Sequence, residues 1–336
     1  MNADRAQSPS RLDSARAVME SLSIGAFVAT DHATVRWLLD DEPKEATGVI
    51  VTETSLRPVT GDDFAGDARE VRERLGLDLA VVGVETSALP ATVGRVLGGR
   101  SLYDLTHLLA PLRSCLDEAA LDRVRFASRL ASRAQTVFRE RLAVGVSEAE
   151  VAAAVFEAVS HPHDAPAPIV DLMFGLRCAL VGMPPTGKRL VAGETALLDF
   201  APLIDGYWSD SCSTVVVGAT PNQEIRRLHV AAMKALERAI ALVEPGRTVG
   251  EIDRAVRDIM ADAGYTYPHL TGHGVGLKQQ DYPLFSPAST AVLREGFVLA
   301  IEPGGYAEGF GVRVEHVMRV GAGGAELLTT HSLALG

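Results

Sequence analysis

Residues 112–336 of this chain can be read twice, and that duplication limits the fold more than any other feature. At an offset of 101 residues, Gly145, Ser147, Glu150, Val151, Ala154 and Val155 recur as Gly246, Thr248, Glu251, Ile252, Ala255 and Val256. Upstream, Ala131 and Ala134 recur as Ala232 and Ala235. Each copy spells a helix, a Gly turn, a Ser or Thr cap and a second helix. Strand-like segments follow: "ETALLDFAPLIDGYWSDSCSTVVVG" in the first copy, "FVLAIEPGGY" and "GVRVEHVMRV" in the second. The expected class is α+β with a pseudo-twofold repeat, and two facing halves leave a cleft, a favoured place for a site.

Residues 20–110 follow a different pattern. "GAFVAT", "TGVIVTE" and "LDLAVVGVE" are strand-like, while "FAGDAREVRERLG" and "LPATVGRVLGG" are helical patterns closed by Gly. This predicts a small α/β domain over 1–111, ending near Pro111, with Asp117 as the N-cap of the long helix that follows. The domain holds no dense cluster of catalytic residue types; His32 and His107 stand alone and are taken as structural. His161 and His163 lie in the Pro-broken stretch "VSHPHDAPAPIV" and read as an exposed turn.

The balance of 43 acidic against 32 basic side chains, a formal charge of -11, argues against a nucleic-acid partner. Cys115, Cys178 and Cys212 form no CxxC pair, so the expected setting is reduced and cytoplasmic. No apolar run approaches the roughly 18 residues of a membrane span. The N-terminal "MNADRAQSPSRLDSARAV" lacks the apolar core of a signal peptide and is expected to be a polar lead-in.

Chemistry gathers in the strands of the doubled region. "LLDFAPLIDGYWSD" sets Asp199, Asp205 and Asp210 in an apolar, aromatic run, where a carboxylate is costly unless paired or bound to metal. Asp205-Gly206 is a hairpin signal, so Asp199 and Asp210 can converge from neighbouring strands while Asp205 sits at the tip. "HLTGHGVGL" places His273 between glycines, "LAIEPGGY" carries Glu302, and "GVRVEHV" carries Glu315 with Arg313 on the same face. Four carboxylates and one imidazole suit a pair of divalent ions of the Mn, Fe, Co or Zn type. Calcium alone does not call for the His.

The order and flanks of these residues resemble the pita-bread metallopeptidases: methionine aminopeptidase, aminopeptidase P and prolidase, with creatinase as a relative. That pattern has an Asp, a second Asp eleven residues later in "GYxSD", a His in "GHGxG", a Glu in "EPG" and a Glu in "RxE". Asp199, Asp210, His273, Glu302 and Glu315 match it. The resemblance covers roughly residues 112–336; residues 1–111 are similar, less clearly, to the extra domain of the prolidase and creatinase branch. It implies a dinuclear centre that activates shared water for attack on a carbonyl. Asp210 and Glu315 then bridge the ions, Asp199 completes one, and His273 and Glu302 complete the other. It also implies Glu302 as proton shuttle, His269 facing a short peptide-like or small-molecule substrate, and a homodimer.

The pattern also breaks. Where those peptidases carry a His seven residues after the "GHG" His, this chain has Gln280; where they carry one seventeen residues before the first Asp, it has Gly182. After Asp210 their "TRT" becomes Cys212, Ser213 and Thr214. A donor to the carbonyl oxygen or leaving amine contributes about 10²–10³ in rate. Gln280 can donate a hydrogen bond but carries no proton at neutral pH; His269 or Arg313 could fill part of the gap. The first reading is a hydrolase with an altered peptide-like or small C–N substrate. A lyase that abstracts a proton and a non-catalytic metal-binding homologue are the alternatives.

Overall fold

Short runs of Val, Ile and Ala in the N-terminal third form a five-stranded sheet in the order β3-β2-β1-β4-β5, built from β1 (Ala26–Ala29), β2 (Gly48–Thr52), β3 (Leu56–Val59), β4 (Val81–Val84) and β5 (Ser101–Asp104). The pairs β1–β4 and β4–β5 are parallel, and β1–β2 and β2–β3 antiparallel. The computed structural model describes residues 10–40, 45–159 and 168–336, so His161 and His163 lie outside the described residues. The chain divides into two compact units, Met1–Arg113 and Ser114–Gly336.

The helices of the first unit are α1 (Arg11–Ser21), α2 (His32–Leu39), α3 (Ala68–Leu75), α4 (Ala91–Val96) and α5 (Thr106–Arg113). One expectation needs correction here. Residues 11–21 are not part of a polar lead-in: Ser10 and Asp13 form a capping box, and Ala15 and Met19 bury one side of α1. Pro111 sits inside α5, and the two compact units divide after Arg113, two residues beyond the expected boundary.

In the second unit the duplication becomes two helix pairs: α6 (Glu118–Arg141) with α7 (Glu148–Val159), and α8 (Gln223–Leu242) with α9 (Val249–Asp262). Asp117 caps α6 by accepting from Ala120 N–H at 2.9 Å. Ser147 pairs with Glu150, and Thr248 with Glu251, in matching capping boxes. Gly145 and Gly246 turn the chain at φ 91° and 89°, a region that strains any residue with a Cβ.

Each helix pair covers one antiparallel sheet. The first sheet runs β10-β7-β6, from β6 (Ile169–Phe174), β7 (Thr195–Ala201) and β10 (Cys212–Val216), with the small hairpin β8 (Leu203–Ile204) and β9 (Tyr207–Trp208) between β7 and β10. The second runs β12-β11-β13-β16-β17, from β11 (Gly272–Gly274), β12 (Asp281–Leu284), β13 (Val298–Ile301), β16 (His316–Gly321) and β17 (Gly324–Leu327). Its own inserted hairpin, β14 (Gly304–Ala307) with β15 (Phe310–Arg313), lies between β13 and β16. Phe138, Val151, Val155, Leu172 and Phe200 form the core of the first half. Leu228, Leu236, Ile252, Val256 and Leu299 belong to that of the second. Among the described residues no helix is long and apolar enough to cross a membrane.

Candidate metal centre

Both halves deliver their carboxylates in the same way. Asp199 lies on β7 and Asp210 just before its neighbour β10; Glu302 follows β13 and Glu315 precedes its neighbour β16. A hairpin separates the members of each pair. Asp205 and Gly206, at φ 46° and 76°, make the two-residue turn of the first hairpin, with Asp205 exposed at its tip. Only Asp199 is inside a strand; Asp210, Glu302 and Glu315, expected within strands, stand where the ladder stops. There the backbone has room to turn a side chain away from the alternating pleat. Glu315 N–H donates to Cys212 C=O at 3.0 Å, which joins the two halves at the site itself.

Close backbone approach explains the glycines around His273. A Cβ at Gly272 would lie 2.2 Å from Ala300 O, and one at Gly274 would lie 2.0 Å from Tyr282 O. His273 Nδ1 is 3.0 Å from Gly274 O, so it donates and leaves the Nε2 lone pair free. That nitrogen faces Glu302 Oε1 at 3.7 Å and Asp210 Oδ2 at 3.9 Å.

Asp199, Asp210 and Glu315 each present an oxygen within 4.8 Å of the others. Glu315 is 1% exposed, and neither of its carboxylate oxygens has a hydrogen-bond partner among the described residues. Burial, and then repulsion from Asp210 and Asp199, pushes its acid well above the usual range. Asp199 is raised in the same way by burial, with Arg313 opposing. Asp210 rises to about 6, through burial and the Glu302 charge, and burial also raises Glu302. Four crowded carboxylates with an unpartnered buried member need a cation, and the oxygen-rich set with one imidazole fits divalent metal.

Arg313 anchors the other side. Its guanidinium donates to Asp199 Oδ2, to Cys212 Sγ at 3.4 Å and to Tyr306 Oη at 3.2 Å. Tyr306 Oη lies 2.8 Å from His269 Nε2, and His269 Nδ1 lies 2.7 Å from Leu270 O. Burial, then Arg313, lowers His269 to about 4, so the ring is neutral. A carbonyl only accepts; the proton is on Nδ1 and Tyr306 donates to Nε2. Both His269 nitrogens are therefore engaged.

The residues singled out by the sequence do not all converge. Asp199, Asp210, His273, Glu302, Glu315, Arg313 and His269 do. Gln280 is exposed; its neighbour Gln279 donates Nε2–H to Asp210 Oδ2 at 2.9 Å. The β11–β12 register slips at a bulge between His273 and Gly274, and in the bend that joins the two strands it is Gln279, not Gln280, that reaches Asp210. Gln135 was also missed. Fully buried on α6, it donates to Leu198 O and Ser211 O at 3.1 and 2.9 Å and accepts from Ser213 Oγ at 2.7 Å, pinning β7 against β10. A polar residue on the apolar stripe of that helix was the signal available.

The model of metallopeptidase family M24 matches residues 122–322. The chain belongs to this family. Over 230 residues it is 33% identical to a Xaa-Pro dipeptidase of Pyrococcus furiosus, covering 67% of this chain and 66% of that protein. It is 32% identical over 230 residues to an uncharacterised peptidase of Staphylococcus haemolyticus, covering 67% of this chain and 65% of the relative. The chain thus spans just under two thirds of these relatives' own length. In structure it is similar to the prolidase of Pyrococcus horikoshii, with a TM-score of 0.87 at 25% identity over 97% of this chain and 100% of that one. The architecture is the α+β pita-bread fold of the M24 metallopeptidases, a family that uses divalent metal ions.

Proposed function

We propose that this M24 protein is a dinuclear, metal-dependent hydrolase of a peptide-like or other small C–N substrate. The observation that carries the reading is Glu315, fully buried amid three more carboxylates with both oxygens unpartnered among the described residues. Asp199, Asp210, His273, Glu302 and Glu315 would hold the two ions, with Asp210 and Glu315 shared between them, Asp199 serving one and His273 with Glu302 the other. The ions are of the Mn, Co, Fe or Zn type. When bound, such a pair lowers the pKa of shared water and polarises a carbonyl. Glu302, next to His273 Nε2, holds and passes the proton. Arg313 fixes Asp199, and His269 with Tyr306 fixes Arg313.

The Xaa-Pro dipeptidase and prolidase relatives support a peptide-like substrate. Gly182, which has no side chain, and the exposed Gln280 support a slow peptidase, since no imidazole services the carbonyl or leaving amine at those positions. A homodimer in the cytoplasm completes the proposal.

Metal analysis after loading should find about two divalent ions per chain, with sharply reduced content in Asp210→Ala and Glu315→Ala. Unchanged content in both variants sinks the assignment. Xaa-Pro dipeptides and longer peptides, assayed with each metal in turn, should give kcat/KM well below the ordinary range of about 10⁴ M⁻¹s⁻¹. A value at or above that range refutes the altered-substrate reading.

A further inference from the structure

Among the described residues β10 is an edge strand, paired with β7 on one side and with no strand on the other. Two segments cover that edge. The first is the end of β15: Thr214 Oγ1 accepts from Arg313 N–H and donates to Arg313 O, each at 3.0 Å, and Glu315 N–H reaches Cys212 O. The second is the C-terminal segment 329–335, whose Leu335 O accepts from Val216 N–H at 2.7 Å. From the first half α6 holds this segment: Ser132 Oγ accepts from Thr330 N–H at 3.0 Å, and Arg139 Nε donates to Ser332 O at 3.1 Å. From the second half, Val317 N–H donates to Thr329 Oγ1 at 2.9 Å and His229 Nε2 to Leu333 O at 2.8 Å. The segment is thus a strap across both halves.

His331 is the residue of the strap that reaches the site. It is 6% exposed, and its Nε2 lies 3.4 Å from Cys212 O. Burial, then His316, lowers its pKa to about 3, so the ring is neutral. A carbonyl only accepts; the proton is therefore on Nε2, and Cys212 O receives both His331 and the Glu315 N–H. The ring also meets His316 edge-on, with centroids 4.8 Å apart. His331 thus touches the residue two after Asp210 and the residue next to Glu315, the two carboxylates proposed to be shared between the ions. Its Nδ1 is buried with no hydrogen-bond partner among the described residues, which opposes folding. A leucine would remove that penalty, and Cys212 O would keep its bond from Glu315. Stability alone favours an apolar side chain here.

We propose that His331 is a positioning residue for the metal centre, fixing through Cys212 and His316 the backbone that carries Asp210 and Glu315. This deepens the hydrolase reading and rests on its ligand set. The test reads metal affinity and folding separately. Full-length wild type, His331→Leu and His331→Gln are titrated with manganese against a chromogenic chelator, and their cobalt-loaded forms are compared by visible absorption. Groups that orient a metal ligand matter about 10–100-fold in affinity. His331→Leu should bind manganese about tenfold more weakly and alter the cobalt spectrum, while the metal-free variant unfolds in urea at no lower concentration than wild type. His331→Gln, which offers an amide N–H to Cys212 O, should restore affinity and spectrum. Affinity within about twofold in His331→Leu, or a loss that glutamine does not rescue, overturns the proposal. A lower urea midpoint for His331→Leu assigns the residue to packing and overturns it too. If a variant fails to fold, the wild type decides: nitrogen-15 spectra of histidine-labelled, metal-free protein should show His331 as the neutral Nε2–H tautomer, and the Nδ1–H form overturns the proposal. A wild type that binds neither manganese nor cobalt overturns the hydrolase reading and this proposal with it, whereas metal bound equally by all three proteins overturns this proposal alone.

Discussion

Gln279 shows how one amide can set the shape of a charged site. It holds Asp210 Oδ2, and Asp210 is one of the two carboxylates proposed to span the ions. Groups that orient a metal ligand typically matter about 10–100-fold in metal affinity. Gln279→Ala should therefore weaken manganese binding by about tenfold, measured by competition with a chromogenic chelator. Gln280→Ala, at an exposed position, should leave the affinity within about twofold. The reverse ranking would restore Gln280 to the site. The difference explains why the sequence pointed one residue too far. Asp199, Asp210, His273, Glu302 and Glu315 were legible because each carries a distinctive flank, such as "GYWSD" or "GHGVG". Position 280 was chosen by counting, and counting along a chain does not foresee a bulge.

Within the elements, buried polar residues hold strand ends in place. Gln135→Leu would remove the donor to two carbonyls and the acceptor of Ser213, leaving buried groups unsatisfied. The expected cost is about 2–4 kcal/mol in urea unfolding of metal-free protein, with weaker metal binding because Asp199 and Asp210 flank those bonds. A loss below about 0.5 kcal/mol would show that the pin is dispensable. Strong periodicity made α6 to α9 visible in the sequence, and Gly76, the left-handed cap at φ 70°, marked the end of α3. The exposed strand β5 was not visible, because all four of its residues face solvent and no alternation survives. Nor was α2: its apolar residues, four of them buried in eight positions, give a short run without helical contrast.

At the scale of the whole molecule, pH and the doubled architecture each leave a mark. In the first unit Glu85 is 1% exposed, and burial raises its acid to about 7 despite the hydrogen bond from Thr34. A folded pKa above the unfolded value of 4.5 means that the native state binds the proton more tightly. The group thus penalises folding above pH 7, and the penalty fades as pH falls from 7 towards 4.5. Glu85→Gln should raise stability at pH 8 by roughly 1–2 kcal/mol and flatten its pH dependence over that interval, by denaturant unfolding at several pH values. A variant less stable than wild type at pH 8 would mean that the Arg113 ion pair at 3.8 Å outweighs desolvation. The two sheets of the second unit carry a different consequence. His273 lies opposite Ala300, two residues before Glu302; the same place in the first sheet, opposite Leu197 and two residues before Asp199, is Met173. Met173 packs with Cys178, Leu197 and Cys212 and is fully buried. One position in a duplicated frame thus separates a nitrogen donor from a core thioether. The twofold is broken there, so on the proposed two-ion reading the two positions have unlike ligands and the ions should enter in two steps distinguishable by calorimetric titration.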